Sequence, residues 1–212
     1  MKVIIIMNNL HKNIDNYYTD KVKIHGATPK GVDWNGEESQ NIRFEQLSKV
    51  IKKDDFSIAD IGCGYGKYSE HLSLNYLNYA YYGYDLSKEM IDNAKKIYND
   101  KNIKFLHVDN LDKVLNVDYS IASGIFSVKM QHIESQWLSY ILDTLEKIND
   151  KSKEGFSFNM LTKYSDKEYM RDDLYYADPL FFFDYCKRNF SKNISLNHDY
   201  DLYEFTIIVR KV

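Results

Sequence analysis

The stretch Phe56–Leu72, FSIADIGCGYGKYSEHL, places three glycines within five positions directly behind a short apolar run. Such a run is typical of a buried strand, and the segment after the glycines is typical of a helix. Glycine lets the backbone turn sharply and approach a ligand closely, and the start of the next helix offers free N–H groups. On its own, the cluster fits a simple turn as well as a ligand cradle.

The rest of the chain alternates between strand and helix patterns around this stretch. Helices are predicted over 37–53, 67–74, 88–98, 132–149 and 179–190, and strands over 56–61, 79–85, 103–109, 117–123 and 155–161. The last two apolar segments, 194–200 and 202–211, flank a tight turn and predict a hairpin. This order predicts an α/β fold: a doubly wound, Rossmann-like sheet of seven mostly parallel strands, with an antiparallel C-terminal hairpin strand and helices on both faces.

Composition and charge argue against several classes of protein. The formal net charge of −3 provides no long-range attraction for nucleic acid or an anionic membrane. Cys63 and Cys186 are too few for a disulfide framework and lack the spacing of metal ligands. The N-terminal apolar run is shorter than a signal-peptide core or a membrane span. We expect a cytoplasmic protein with reduced thiols, no metal, no nucleic-acid partner and no membrane segment. Its oligomeric state stays open.

Acidic residues mark the ends of the predicted strands, where doubly wound sheets bind ligands. Asp60 lies two residues before Gly62 in a G-x-G-x-G pattern, which differs from the dinucleotide pattern G-x-G-x-x-G. An acid there would repel a pyrophosphate and suits an ammonium or sulfonium group. Asp85 ends the second strand, where a carboxylate accepts hydrogen bonds from both hydroxyls of a ribose. The alternative for Asp85 is a helix cap, although Ser87 already fills that role.

The third strand ends at another acid, Asp109. It would accept a hydrogen bond from an exocyclic adenine amine, with Leu86 and Leu111 as apolar walls for the ring. The alternative is an ordinary loop acid.

Four quoted segments resemble successive motifs of class I S-adenosylmethionine (SAM)-dependent methyltransferases: ADIGCGYG, YYGYDLSKEMIDNAKK, FLHVDNL and VDYSIASGIFS. The resemblance runs in order from Phe56 to Leu161 and implies SAM as cofactor. It further implies contacts to the methionine part, the ribose and the adenine of SAM, and a cleft where cofactor and acceptor meet. The residues implied are, in that order, Asp60 with Gly62, Gly64 and Gly66; Asp85; Asp109 with Asn110; and Ser123 with Gly124.

We expect one domain over 1–212. Its parts are an N-terminal arm, partly helical, and a helix (1–53), the cofactor-binding core (54–161), a lid insert with a helix (162–190) and the hairpin (191–212). The arm resembles segments that related enzymes fold over the cofactor.

The acceptor is expected to be a small molecule methylated at oxygen or nitrogen. The segment after the fourth strand, SGIFSVK, lacks the Asn/Asp-Pro-Pro-Tyr/Phe sequence of amino-methylating nucleic-acid enzymes. The candidate acceptor contacts are aromatic residues of the arm, the fourth-strand loop and the insert: Tyr18, Trp34, Phe126, Tyr175 and Tyr176. Each also fits simple packing of lid against core. Two other functions stay open, a non-catalytic subunit with a methyltransferase fold and a methyltransferase acting on protein or RNA.

Three further residues carry more specific hypotheses. Arg43 is a candidate for bidentate pairing with the cofactor carboxylate, the alternative being a solvated helix arginine. His25 and His132 are candidate general bases because histidine titrates near neutrality. For each histidine the alternative is a structural role. A methyltransferase needs a base only where the acceptor must lose a proton before or during attack.

Overall fold

The computed structural model describes residues 2–211, with side chains from residue 9 onward. Within this range the chain forms six α-helices, three short 3-10 helices and seven strands. The α-helices are α1 (Lys2–His25), α2 (Glu37–Ser48), α3 (Lys67–Asn75), α4 (Lys88–Ile97), α5 (Glu134–Lys151) and α6 (Pro179–Asn189). The strands are β1 (Asp55–Ile61), β2 (Asn78–Asp85), β3 (Ile103–His107), β4 (Val117–Ala122), β5 (Ser152–Leu161), β6 (Asn193–Asn197) and β7 (Glu204–Arg210). No helix of this range is long and apolar enough to cross a membrane.

The strands form one sheet in the order β3-β2-β1-β4-β5-β7-β6, in which β7 alone runs against the others. The predicted doubly wound sheet with an antiparallel terminal strand is therefore confirmed. The chain starts in the middle at β1, builds outward to β3, and then returns to β4 on the other side of β1. This reversal leaves a crevice at the carboxyl ends of β1 and β4, where such sheets bind ligands.

Both faces of the sheet are covered, because successive strand residues point to opposite sides. Ile207 and Val209 join a core with α5 and α6, whereas Ile208 joins a second core with α2, α3 and α4. The first core includes Trp137 of α5, which is fully buried. Because helices cover both faces of the sheet, the polar loops lie at the two ends of the strands.

The antiparallel direction of β7 brings its first residue to the carboxyl edge of the sheet. Glu204, where β7 begins, pairs with Leu161, where β5 ends. A residue near the C-terminus of the chain therefore lies beside the loops that follow β1 and β4.

The N-terminal arm differs from the prediction, because residues 2–25 form one continuous helix. Leu10, Ile14 and Val22 recur at helical spacing and are buried, with Tyr18 on the same face. Polar residues on either side of Ile14 in the sequence, such as Asn13 and Asp15, weaken the apolar period. Tertiary contact with the sheet's ligand edge supplies the stabilisation that the local pattern lacks.

Two other boundaries differ for similar reasons. Helix α2 ends at Ser48 rather than at residue 53, because Val50 and Ile51 leave the helix to pack in the second core. The hairpin connection spans residues 198–203 instead of a tight turn. Within it, the Tyr200 hydroxyl lies 2.9 Å from the hydroxyl of Thr206, so the longer loop folds back on the sheet.

Candidate active site

A cavity opens at the carboxyl ends of β1, β2 and β4, under helix α1. It lies where the sheet topology predicts a ligand. Eleven of the residues predicted as ligand contacts line it: Tyr18, Trp34, Asp60, Gly62, Gly64, Asp85, Leu86, Asn110, Leu111, Ser123 and Gly124.

The glycine loop after β1 is tied to the end of β2. The N–H groups of Gly62 and Cys63 both donate to the carbonyl oxygen of Tyr84, at 2.8 and 3.0 Å. Gly62 has φ +72°, and a Cβ built there would lie 2.3 Å from the side chain of Ile125. Only glycine fits this position, since both the backbone and the neighbour exclude a side chain. The loop is thereby held open toward the cavity.

Asp85 lies between the glycine loop and helix α4. Its Oδ2 accepts from the N–H of Gly64 and its Oδ1 from the N–H of Ser87, each at 2.8 Å. A carboxylate oxygen accepts two hydrogen bonds, so each oxygen keeps one acceptor position free. Burial raises the pKa of Asp85 to about 6, although the two N–H groups oppose the shift. The predicted N-cap of α4 is confirmed, because the Ser87 hydroxyl accepts from the N–H of Met90 at 3.3 Å.

Asp60, at the end of β1, is the second acid of the cavity and is only 2% exposed. Its Oδ2 accepts a hydrogen bond from the Tyr81 hydroxyl at 2.7 Å. Burial raises the pKa of Asp60 to about 7, the Tyr81 hydrogen bond opposes this shift, and the nearby Asp85 adds to it. Burial thus disfavours the ionised form of both carboxylates in the site. A cationic group bound beside them would favour the ionised form.

The two acids predict an unusual dependence of stability on pH in the protein without ligand. Their folded-state pKa values lie above those of the unfolded chain, so between about pH 4 and pH 7 the folded state binds more protons. The free energy of unfolding is therefore expected to fall as pH rises through this window, by up to about 1.4 kcal/mol per pH unit for each group. Urea unfolding at pH 5, 6, 7 and 8 should show Asp60→Asn gaining stability relative to the wild type as pH rises.

Asp118 provides the matched control for this experiment. Burial alone would raise the pKa of Asp118, but hydrogen bonds from Ser57 and pairing with Lys53 lower it. Asp118 is therefore ionised in both states from pH 5 to 8, and Asp118→Asn should differ from the wild type by a constant amount over that range. An equally constant difference for Asp60→Asn would contradict the prediction.

The cavity also contains a buried polar atom without a partner in the described part of the chain. The hydroxyl of Ser123, directly after β4, makes no hydrogen bond to any described residue. Buried hydroxyls are normally paired, so this one is available to a bound ligand. Together with the glycine cradle and the free acceptor positions of Asp85, it meets the requirements of a nucleoside with a polar tail.

Two residues predicted as ligand contacts do not line the cavity, because their side chains have partners inside the protein. Arg43 donates from Nε to both carboxylate oxygens of Glu204, at 2.8 and 2.9 Å, and the pair is buried. Its guanidinium therefore pairs with the chain's own carboxylate and does not line the cavity. Phe126 is fully buried against Tyr140 and Phe158 in the first core. It packs the core and contributes no cavity surface.

Two residues predicted at the cofactor lie just outside the cavity. Asp109 is exposed and forms an ion pair with Lys113 at 2.8 Å, while its neighbour Asn110 faces the cavity. Gly66 precedes α3 and lies under the ring of Phe105, which a Cβ there would meet at 2.6 Å. Its role is packing of the α3 N-terminus.

The predicted acceptor contacts of the insert and the candidate bases also lie away from the cavity. Tyr175 packs against the first core, and the Tyr176 hydroxyl accepts from the N–H of Arg171 at 3.0 Å. His25 is exposed at the end of α1, and His132 stacks on Trp137 with ring centroids 6.2 Å apart. The structure does not bring these four residues to the site.

Sequence analysis missed several residues that line the cavity, among them four from the helices over it: His11, Ile14, Tyr140 and Thr144. His11, Ile14 and Tyr18 line it from α1, and Tyr140 and Thr144 line it from α5. The i, i+3, i+7 spacing on α1 was the available signal, and it depends on recognising the arm as a helix. The ring of His11 lies edge-on to Tyr140, with centroids 5.8 Å apart. Burial lowers the pKa of His11, so its imidazole is neutral at pH 7.

The fold is a doubly wound α/β sheet with a cavity at the carboxyl ends of its central strands, and comparison with known proteins identifies its family. Residues 58–148 match the family described as "Methyltransferase domain". A protein of Mycobacterium tuberculosis named "Putative methyltransferase Rv1506c" is 48% identical over 163 residues, which are 76% of this chain and 97% of the relative. The chain belongs to the class I SAM-dependent methyltransferases.

Solved structures agree with this assignment at the level of the fold. The magnesium protoporphyrin IX methyltransferase of Synechocystis PCC 6803, with bound SAH, is similar with a TM-score of 0.55 and 15% identity, over 74% of this chain and 75% of that one. The small RNA methyltransferase HEN1 has a TM-score of 0.58 and 13% identity, over 82% of this chain and 25% of that one. One architecture thus serves both small-molecule and RNA acceptors, and the fold does not select between them.

Proposed function

We propose that the cavity binds SAM and that the enzyme transfers the methyl group to oxygen or nitrogen of a small-molecule acceptor. The observation that carries the proposal is Asp85, a carboxylate with one free acceptor position on each oxygen, held beside a glycine cradle at the end of β2. This is the arrangement that the two hydroxyls of a ribose require.

The other lining residues suit the remaining parts of SAM. Gly62 and Gly64 would lie along the methionine part, and Asp60 would face its ammonium group. Leu86 and Leu111 would supply apolar walls for the adenine ring. At its polar edge the Nδ2 of Asn110 would be available, since the Oδ1 of the same amide already accepts from the N–H of Asp112 at 2.8 Å. The hydroxyl of Ser123 remains free for a polar atom near the reacting end.

SAM supplies an activated methyl group when bound, so the chain's own residues mainly orient the acceptor and exclude water. His11, Ile14 and Tyr18 cover the cavity from α1. Among the described side chains that line it, His11 is a neutral imidazole at pH 7 and is able to accept a proton from a hydroxyl or ammonium acceptor.

Two observations favour a small acceptor. Helix α1 and Trp34 lie over the open side of the sheet edge, so a macromolecule would have to displace them to reach the cavity. The net charge of −3 also provides no general attraction for RNA.

Calorimetric titration with SAH tests the first half of the proposal, with NAD as a matched control that carries the same adenosine and a pyrophosphate. We expect SAH to bind with a micromolar Kd and NAD to bind at least tenfold more weakly, because Asp60 repels the pyrophosphate. Absence of SAH binding would overturn the proposed cofactor and favour a non-catalytic role.

Incubation of the protein and methyl-labelled SAM with a bacterial cell extract tests the second half. The extract is divided afterwards into small-molecule, RNA and protein fractions, and the labelled product is identified by mass. We expect the label in the small-molecule fraction. Label confined to RNA or protein would overturn the acceptor class while leaving the cofactor assignment intact.

A further inference from the structure

Trp34 forms one wall of the cavity from a loop that belongs to no helix or strand. Its ring is held between two groups. The guanidinium of Arg43 lies 3.8 Å from the ring centroid on one side. On another side, the ring packs directly on Gly124, where an added Cβ would lie 2.3 Å from Trp34 Cζ2. The position of this wall therefore depends on where Arg43 and Gly124 are held.

Both groups are held by the same buried polar network, formed by Arg43, Glu204 and Asn159. Arg43 pairs with Glu204, as described above, and its Nη1 donates to the carbonyl oxygen of Ser39 at 2.8 Å. Asn159 donates from Nδ2 to Glu204 Oε2 at 2.6 Å. The same amide accepts from the N–H of Gly124 through Oδ1 at 2.7 Å. Both groups that contact the Trp34 ring, Arg43 and Gly124, are therefore connected by hydrogen bonds to the carboxylate of Glu204.

The network fixes its members more closely than a lone ion pair would. Glu204 and Asn159 are each 1% exposed. The Asn159 amide has one orientation, since its donor must face the carboxylate and its acceptor must face the Gly124 N–H. A buried ion pair adds little net stability compared with apolar residues of similar volume, because both charges lose their hydration. Stability alone is therefore a weak explanation for this arrangement.

We propose that Glu204 and Asn159 are positioning residues that set the acceptor wall, Trp34 with Gly124, through the buried polar network. The inference rests on the proposed function, in which this cavity holds the acceptor. Neither residue lines the cavity, so both act through Arg43 and Gly124. Cofactor contacts at Asp85 lie on the other side of β1, so loss of the network should affect the acceptor far more than the cofactor.

Fluorine NMR of protein labelled with 5-fluorotryptophan tests the positioning directly. The chain contains two tryptophans, and Trp34→Phe assigns their signals. Trp137, fully buried in the first core, serves as internal reference. We expect Asn159→Leu to shift and broaden the Trp34 signal while the Trp137 signal stays in place. Arg43→Met/Glu204→Gln should do the same; this second variant removes the buried charges together, so it is expected to fold even if Asn159→Leu is unstable.

Ser152→Ala is the matched control on the same strand. Its hydroxyl donates to Ser120 at 2.7 Å at the far end of β5, so this variant also removes a buried hydrogen bond. It should leave the Trp34 signal unchanged. An unchanged Trp34 signal in the folded network variants, or an equal shift in Ser152→Ala, would overturn the proposal.

An activity experiment measures two quantities. The first is the Kd of SAH, and the second is the amount of deproteinised bacterial cell extract that gives half-maximal transfer of label from SAM. For the network variants we expect the SAH Kd to stay within threefold and the half-saturating amount of extract to rise at least fivefold. An equal loss of both would indicate a general structural role and overturn the proposal. If the wild type fails to bind SAH, the proposed function fails, whereas the Trp34 signal still decides whether the network positions the wall.

Discussion

Replacement of Asp85 by alanine is expected to weaken SAH binding by about 1–3 kcal/mol, or roughly five- to 150-fold, measured by calorimetric titration. The variant removes the two free acceptor positions that face the cavity. It also leaves the N–H groups of Gly64 and Ser87 without their acceptor, so the glycine loop loses part of its support. A melting curve by circular dichroism checks that the variant is folded.

Asp109→Ala is the matched control for Asp85→Ala. Both residues are acids at the carboxyl ends of neighbouring strands, but Asp109 is exposed and paired with Lys113 outside the cavity. Its replacement should leave the SAH Kd within twofold of the wild type. The assignment of the ribose to Asp85 is wrong if the two variants lose equal affinity, or if only Asp109→Ala loses it.

Ile14→Asp is expected to weaken SAH binding at least tenfold, because it places a carboxylate in the apolar face that α1 turns toward the cavity. Ile14 is 9% exposed and contacts the first core, so the charge must either lose its hydration or pull the helix away from the sheet. Hydrogen exchange measured by mass spectrometry should show faster exchange in α1, while the strands of the sheet keep their protection.

The control for this second experiment lies two residues earlier on the same helix. Lys12 is exposed, so Lys12→Asp makes a larger change in charge without entering the apolar face. We expect it to leave both the SAH Kd and the exchange of α1 unchanged. Equal effects of the two variants would mean that the charge of α1, and not its contact with the cavity, governs binding.

The sheet and its ligand edge were predictable because their signals are local. The glycine spacing after β1 and the acid that ends β2 are each contained in a few neighbouring residues. Parallel strands bring their carboxyl ends to one edge, so residues distant in sequence meet there without further information. For that reason Gly62, Gly64, Asp85 and Ser123 line the cavity as expected.

The remaining differences have two physical causes. Neighbouring residues in a turn face different directions, and the sequence does not say that Asn110 points inward while Asp109 points to solvent. Partners distant in sequence are also invisible to local patterns. Arg43 pairs with Glu204, which is 161 residues away, and no local pattern in the sequence indicates this partner.

Glu204 is the first residue of β7 and comes late in the sequence. Its position has a consequence for the order in which the contacts form during synthesis. Arg43 is synthesised well before Glu204. At a synthesis rate of about 5–20 residues per second, the 161 positions that separate them take roughly 8–30 seconds. For most of that time the nascent chain already holds the glycine loop and Asp85, but it does not yet hold Glu204. The buried pair of Arg43 and Glu204 can therefore form only after β7 has been synthesised, later than the elements that carry the glycine loop and Asp85.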